Sequence, residues 1–128
     1  MLWRHGRTQW NAQRRFQGHS DIPLDDVGQA QAALAAPMLA SLKPSKIVSS
    51  DLQRARYTAQ ALADLTELDV GIDPQLRETF AGEWEGLGRE ELQERFGDEL
   101  AAWAAGSDLA PGGGERRSEV AFRMVEAI

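Results

Sequence analysis

Residues 2–11, LWRHGRTQWN, gather Arg4, His5 and Arg7 behind a short apolar start, in a chain whose formal net charge is −6. Histidine is the one side chain that is both neutral near pH 7 and a competent nitrogen nucleophile. Guanidinium groups match phosphate oxygens bidentately and stay charged at any working pH. Arg4 beside His5 therefore suggests that a phosphoryl group is held by cations and transferred to the imidazole. A second anchor, Arg54, falls near the start of a predicted helix that directly follows a predicted strand, where the helix N-terminus adds partial positive charge. A leaving alkoxide needs a proton, and Glu78 in LRETFAGEWEGL, beyond the third predicted strand, is the carboxylic acid of the same edge. Phosphoryl transfer asks little covalent work of a protein beyond this positioning and charge.

Each of these residues has an ordinary reading when taken alone. Arg54 is then a solvated helix residue, Glu78 a surface carboxylate or a partner of Arg77, and Arg-His-Gly a short string that recurs by chance. They gain weight because all follow successive strands. His19 in FQGHSD reads as a loop histidine contacting water or substrate. With no second histidine or acidic cluster at ligand spacing, it does not read as a metal site. Trp3, Trp10, Phe16 and Trp84 read as packing. The PGGGE at 111–115 lacks the lysine and threonine of a phosphate-binding P-loop, so its glycines read as a turn before the last helix.

The elements that must carry these residues follow from periodicity. Met1 to Trp3 resembles the end of a strand, and 5–26 is a long irregular segment of the kind that is usually functional. From Val27, apolar Ala30, Leu34, Met38 and Leu42 recur at helical spacing, with Asp25 or Asp26 to cap the start and Pro37 expected to bend or shorten the helix. Ile47 to Ser50 reads as a buried strand. Leu52, Ala55, Ala59, Leu62 and Leu65 mark a second helix, capped by Ser50 or Asp51. Val70 to Ile72 is a weaker strand. Leu92 with Phe96, then Leu100 with Trp103, predict two short helices, and Ala121, Met124, Val125 and Ile128 a last one after the break at 106–114. Strand and helix alternating in this way predict an α/β fold with a parallel sheet, whose ligands bind beyond the carboxyl ends of the strands.

Composition narrows the setting. At 128 residues, 42% hydrophobic and 27% charged, the chain suits one globular domain. The acidic balance argues against a nucleic-acid backbone as partner. No apolar run approaches the length of a membrane span and no secretory-signal layout is visible, so the default address is cytoplasmic. With no cysteine there are no disulfides or thiolate metal sites.

The stretches LWRHGRTQWN, RFQGHSDIPLDDVGQAQA, SSDLQRARYTAQALA, LRETFAGEWEGL and PGGGE, in that order, resemble the histidine phosphatase superfamily, also called phosphoglycerate mutase-like. The likeness runs over nearly the whole chain. Within the superfamily, SSDL and PGGGE look most like actinobacterial phosphatases that act on glucosyl-3-phosphoglycerate. The resemblance implies a three-layer α/β/α sheet fold, His5 as nucleophile, Glu78 as proton donor and acceptor, and Arg4, Asn11 and Arg54 as substrate-binding residues. It further implies a small phosphorylated metabolite as partner, no metal or cofactor, and a homodimer for the intact protein.

The resemblance also calls for a second pocket histidine, in a His-Gly pair after a further strand. The sequence has only His5 and His19. The expectation is therefore a partial histidine phosphatase domain over 1–128, incomplete at the C-terminus and slightly at the N-terminus, and impaired as an enzyme. Beside phosphomonoester hydrolysis stand two other readings: a phosphoglycerate mutase, and a non-catalytic phosphate-binding module. The short segment between Glu78 and GREEL favours hydrolysis over the mutase. The presence of His5, Arg4, Arg54 and Glu78 together weighs against the module.

Overall fold

A computed structural model describes all of residues 1–128. The chain divides into two compact units, one made of Met1–Gln9 with Asp21–Pro74, the other of Trp10–Ser20 with Gln75–Ile128.

In the first unit, helix α2 (Asp26–Ser41) packs against helix α3 (Gln53–Ala63), and α3 lies on a parallel strand pair, β1 (Ile47–Ser49) with β2 (Val70–Ile72). The register places Ile47 opposite Val70, Val48 opposite Gly71 and Ser49 opposite Ile72. Along β1, Ile47 and Ser49 are buried and Val48 is exposed, the alternation that a pleated strand imposes. Leu39, Ile47, Ala59, Leu62 and Ala63 form the core, with Trp3 and Val70 packed against its edge. The α/β class and the parallel pairing are as the sequence predicts.

Several local expectations are corrected. Met1–Trp3 forms no strand; Trp3 contributes by packing on the core instead of by a ladder. Helix α2 buries Gly28, Ala32, Ala36 and Leu39, while the larger Leu34, Met38 and Leu42 face outward. Small residues let α2 approach α3 closely, and two stripes of the same period compete for the buried side. Pro37 neither ends nor shortens α2. It lies on the exposed side with Ala33, so the Ala33 carbonyl that loses its helical N–H partner remains near water. Asp25 caps α2 as expected, its carboxylate accepting the Gly28 N–H at 2.7 Å. At α3 the N-cap position falls on Leu52, one or two residues beyond the expected Ser50 or Asp51, and the Leu52 side chain supplies no hydrogen bond. The first residue of α3, Gln53, donates its N–H at 2.7 Å to Asp21, which comes from the long segment far upstream.

The second unit is built on aromatic packing. Helix α1 (Gln9–Ala12) leads from the first unit into it. Trp84 is fully buried, with Phe16 edge-on at 5.4 Å and Trp103 edge-on at 5.9 Å between ring centroids. Perpendicular rings set the positive edge of one against the negative face of the other. Leu92, Phe96 and Leu100 complete this core, so Phe16 and Trp84, read as packing, do pack, as Trp3 does in the first unit. The two short helices predicted near Leu92 and Leu100 lie end to end in α4 (Arg89–Ala104), separated by a break at Phe96, where φ is −138° and ψ 31°. Helix α5 (Arg117–Ala127) follows a 3₁₀ turn over Pro111–Gly113.

Candidate active site

The Arg-His-Gly segment is pinned by what surrounds it in the first unit. Gly6 lies so close to Gly28 of α2 that a Cβ on either would overlap backbone, Gly28 O in one case and Arg7 O in the other. Two glycines are required because two backbones touch. Arg7 then donates its N–H to Gln31 at 2.9 Å and its Nε–H to Asp25 at 2.7 Å, and Thr8 bridges Leu24. The Gly28 N–H, with the Arg7 guanidinium, holds the Asp25 carboxyl below its usual range.

His5 is half-buried at the start of this clamp. Its Nδ1 lies 2.7 Å from the Gly6 carbonyl oxygen, which can only accept, so Nδ1 carries the proton. A neutral ring in that tautomer has its lone pair on Nε2.

Arg54 is 1% exposed, an unusual degree of burial for an arginine. It sits in the first turn of α3, and its carbonyl accepts the Thr58 hydroxyl at 2.7 Å. Thr58 Oγ1 in turn accepts the N–H of Gly6 at 3.0 Å. One hydroxyl therefore joins the backbone of the Arg54 turn to the residue after His5. Arg4 is exposed beside His5. Arg4, His5 and Arg54 thus share one unit, on elements tied together by Thr58.

Asn11 and Glu78 belong to the second unit. Asn11 is half-buried in α1. Glu78 is exposed on a stretch without regular structure, and its Oε1 accepts the Thr79 N–H at 2.9 Å. His19 places Nε2 2.8 Å from the Glu78 carbonyl oxygen. The PGGGE turn does more than precede α5. A Cβ at Gly114 would overlap the Phe80 carbonyl, and one at Gly112 would overlap that of Ala81, so the run allows close backbone approach to the segment just past Glu78.

Three residues that sequence reasoning missed organise this unit. Glu85 accepts the N–H groups of His19, Ser20 and Ala81 as well as the Ser20 hydroxyl. Glu115 and Arg123 pair at 2.8 Å and bind the Glu78 segment. None of the three belongs to a recognisable local pattern, since most of the backbone groups they bind are distant in sequence. No cluster of three or more His, Asp or Glu is grouped to hold a metal ion. The open groove between α2 and α3, about 420 Å³, runs past Tyr57 and Asp64 and includes none of the predicted site residues.

The family model of the histidine phosphatase superfamily (branch 1) matches residues 1–128. The chain belongs to this superfamily. It is 43% identical over 128 residues to the glucosyl-3-phosphoglycerate phosphatase of Mycolicibacterium vanbaalenii, covering 100% of this chain and 57% of that protein. It is 39% identical over 129 residues to phosphoglycerate mutase-like protein 4 of Arabidopsis thaliana, covering 98% and 56% of the two. Among solved structures, a mycobacterial glucosyl-3-phosphoglycerate phosphatase complexed with VO3 superposes with a TM-score of 0.90 at 40% identity, over 96% of this chain and 63% of that one. This histidine phosphatase chain therefore spans between about half and two thirds of the length of these relatives.

Proposed function

We propose that the chain carries the nucleophile-bearing part of a phosphomonoester hydrolase that acts on a small phosphorylated metabolite through a phosphohistidine at His5. The observation that carries this reading is the junction at Thr58, which ties a buried arginine, Arg54, to the segment holding Arg4 and His5. Nε2 of His5 attacks phosphorus, the P–O bond to the alcohol breaks, and the arginines hold the transferring oxygens. Glu78 gives the departing alkoxide its proton and afterwards takes one from the water that cleaves phosphohistidine. Asn11 contacts substrate. These two roles rest on the motifs that carry the residues.

Glucosyl-3-phosphoglycerate is the substrate proposed first, because a relative named for it matches the whole of this chain. The intact protein is proposed to be a cytoplasmic homodimer that uses neither metal nor cofactor, and residues 1–128 to be part of one domain. The histidines at 5 and 19 leave the proposed pocket without its second histidine, so the chain alone is expected to turn over slowly. A single pre-organised donor is worth roughly a hundredfold to a thousandfold in rate.

The test is incubation with a phosphomonoester followed by trapping of acid-labile phosphate. Labelling of His5 that is lost in His5→Ala and blocked by vanadate supports the reading. Labelling that survives His5→Ala removes it. The mutase reading keeps a place because of the phosphoglycerate mutase-like relative. With 3-phosphoglycerate as substrate, free phosphate supports hydrolysis and 2-phosphoglycerate supports the mutase.

A further inference from the structure

The guanidinium of Arg123, on α5, has an acceptor for each of its five N–H bonds. Nε donates to Glu115 at 2.8 Å and Nη2 to the other Glu115 oxygen at 2.9 Å, a two-pronged ion pair. Nη1 donates to the carbonyls of Gln75 and Arg77, and the second Nη2 hydrogen to the carbonyl of Glu78 at 2.9 Å. Three carbonyls within four residues thus converge on one planar cation. Glu115 extends the clamp, accepting the Phe80 N–H at 2.8 Å while its own N–H donates to the Phe80 carbonyl at 2.8 Å. His19 takes up the second lone pair of the Glu78 carbonyl.

The stretch 77–81 has no helix or strand to hold it, so these side chains supply what a ladder would supply elsewhere. Arg123 is largely buried, with 17% of its side chain exposed, and Glu115 has 23% exposed. A lysine in place of Arg123 would bring three donors from a single point and could not span three carbonyls and a carboxylate.

We propose that Arg123, oriented by Glu115, is the positioning residue for Glu78: it fixes the backbone from which the carboxyl projects, and so decides whether that carboxyl meets the leaving group. This rests on the proton-donor role given to Glu78 under the proposed function. The arrangement places Arg123 outside direct contact with phosphate, since its donors are already engaged by the loop and by Glu115.

The discriminating experiment varies the leaving group. p-Nitrophenolate departs without help, whereas an alkoxide needs its proton, so a misplaced Glu78 slows formation of phosphohistidine only from the alkyl ester; the later water step, common to both esters, does not enter kcat/KM. In the 128-residue chain, Arg123→Met and Arg123→Lys are expected to lower kcat/KM for glycerol phosphate by about tenfold to a hundredfold, part of what a general acid supplies. For p-nitrophenyl phosphate kcat/KM should stay within about threefold. Equal loss on both esters, or no loss, overturns the proposal. Glu78→Gln in the same assay separates the two ideas. If it too fails to discriminate between the esters, the role of Glu78 falls. If it discriminates and Arg123→Met does not, positioning alone falls.

Amide hydrogen exchange reads the clamp without turnover, and it decides alone if the chain releases no phosphate from either ester. Arg123→Met should speed exchange at Thr79 and Phe80 by about tenfold, in line with the loss of a charge-assisted hydrogen bond, and leave α3 at wild-type rates. Unchanged exchange at these two amides overturns the proposal.

Discussion

Gly6 and Thr58 are 52 positions apart in sequence, yet the N–H of one donates to the Oγ1 of the other at 3.0 Å. The same hydroxyl gives its hydrogen to the carbonyl of Arg54. Thr58 is thereby the link between two motifs that are separate in the chain. Its use of both lone pair and hydrogen leaves little freedom to replace it.

Thr58→Val keeps the shape and removes the hydroxyl, leaving the buried Gly6 N–H without this acceptor. A loss of about 1–3 kcal/mol is expected, from the cost of an unsatisfied buried donor. Thr58→Ser keeps both hydrogen bonds and should recover most of it. Urea unfolding monitored by tryptophan fluorescence compares the three proteins.

Gly28 poses a question of sign. In the middle of an exposed helix, Gly→Ala gains up to about 1 kcal/mol of helix propensity. At Gly28 the added Cβ would meet Arg7 backbone, which must move, and such overpacking costs about 1–3 kcal/mol. Gly28→Ala is therefore expected to destabilise. Gly113→Ala has open space around it but a φ of +76°, so it should cost only the left-handed strain of about 1–2 kcal/mol. Thermal unfolding of both variants tests the two mechanisms.

The two stripes of α2 predict opposite tolerances. Leu34 is 84% exposed and Ala36 is 1% exposed. Leu34→Lys should change stability by no more than about 0.5 kcal/mol. Ala36→Leu forces α2 away from α3 and should cost about 1–3 kcal/mol. A stabilising Ala36→Leu, measured by denaturant midpoint, would show that the larger stripe is the one buried.

Acid should weaken the chain through carboxylates that the fold keeps ionised, Glu115 and Asp25 among them. Glu115 lies below its ordinary value of 4.5 because Arg123 donates to it, and Asp25 below 3.8 because the Gly28 N–H does. For a group with a depressed folded pKa, the unfolded chain takes up protons first as pH falls. The stabilisation is complete above the ordinary values, so it should be intact at pH 6, begin to decline near 4.5 for Glu115 and 3.8 for Asp25, and be lost below the folded values. Glu115→Gln removes one of these contributions and should flatten the dependence of urea midpoint on pH between 5 and about 3.

How much of this was legible beforehand differs between residues for physical reasons. His5, Arg4 and Arg54 are visible because their side-chain chemistry is unusual in combination and each follows a predicted strand. Strand β1, helix α2 and the Asp25 cap are local, governed by spacing and by a side chain reaching three residues ahead. The Asp21 cap on α3, the outward turn of Leu34 and the engagement of His19 by the Glu78 carbonyl are not local. Each depends on which surface happens to lie opposite, and no window of neighbouring residues contains that information. The same is true of Arg123, whose five acceptors come from the segment 75–78 and from Glu115.

The sequence by itself determined the family, the α/β class and the residue types offered for chemistry, because motif order, hydrophobic period and side-chain chemistry are written along the chain. Only the tertiary structure decided that Thr58 joins the two arginine-bearing motifs, that α2 buries its small stripe, and that Arg123 and Glu115 hold the loop of Glu78. Those outcomes follow from close backbone approach and from satisfying buried polar groups, conditions that exist only once distant segments have met.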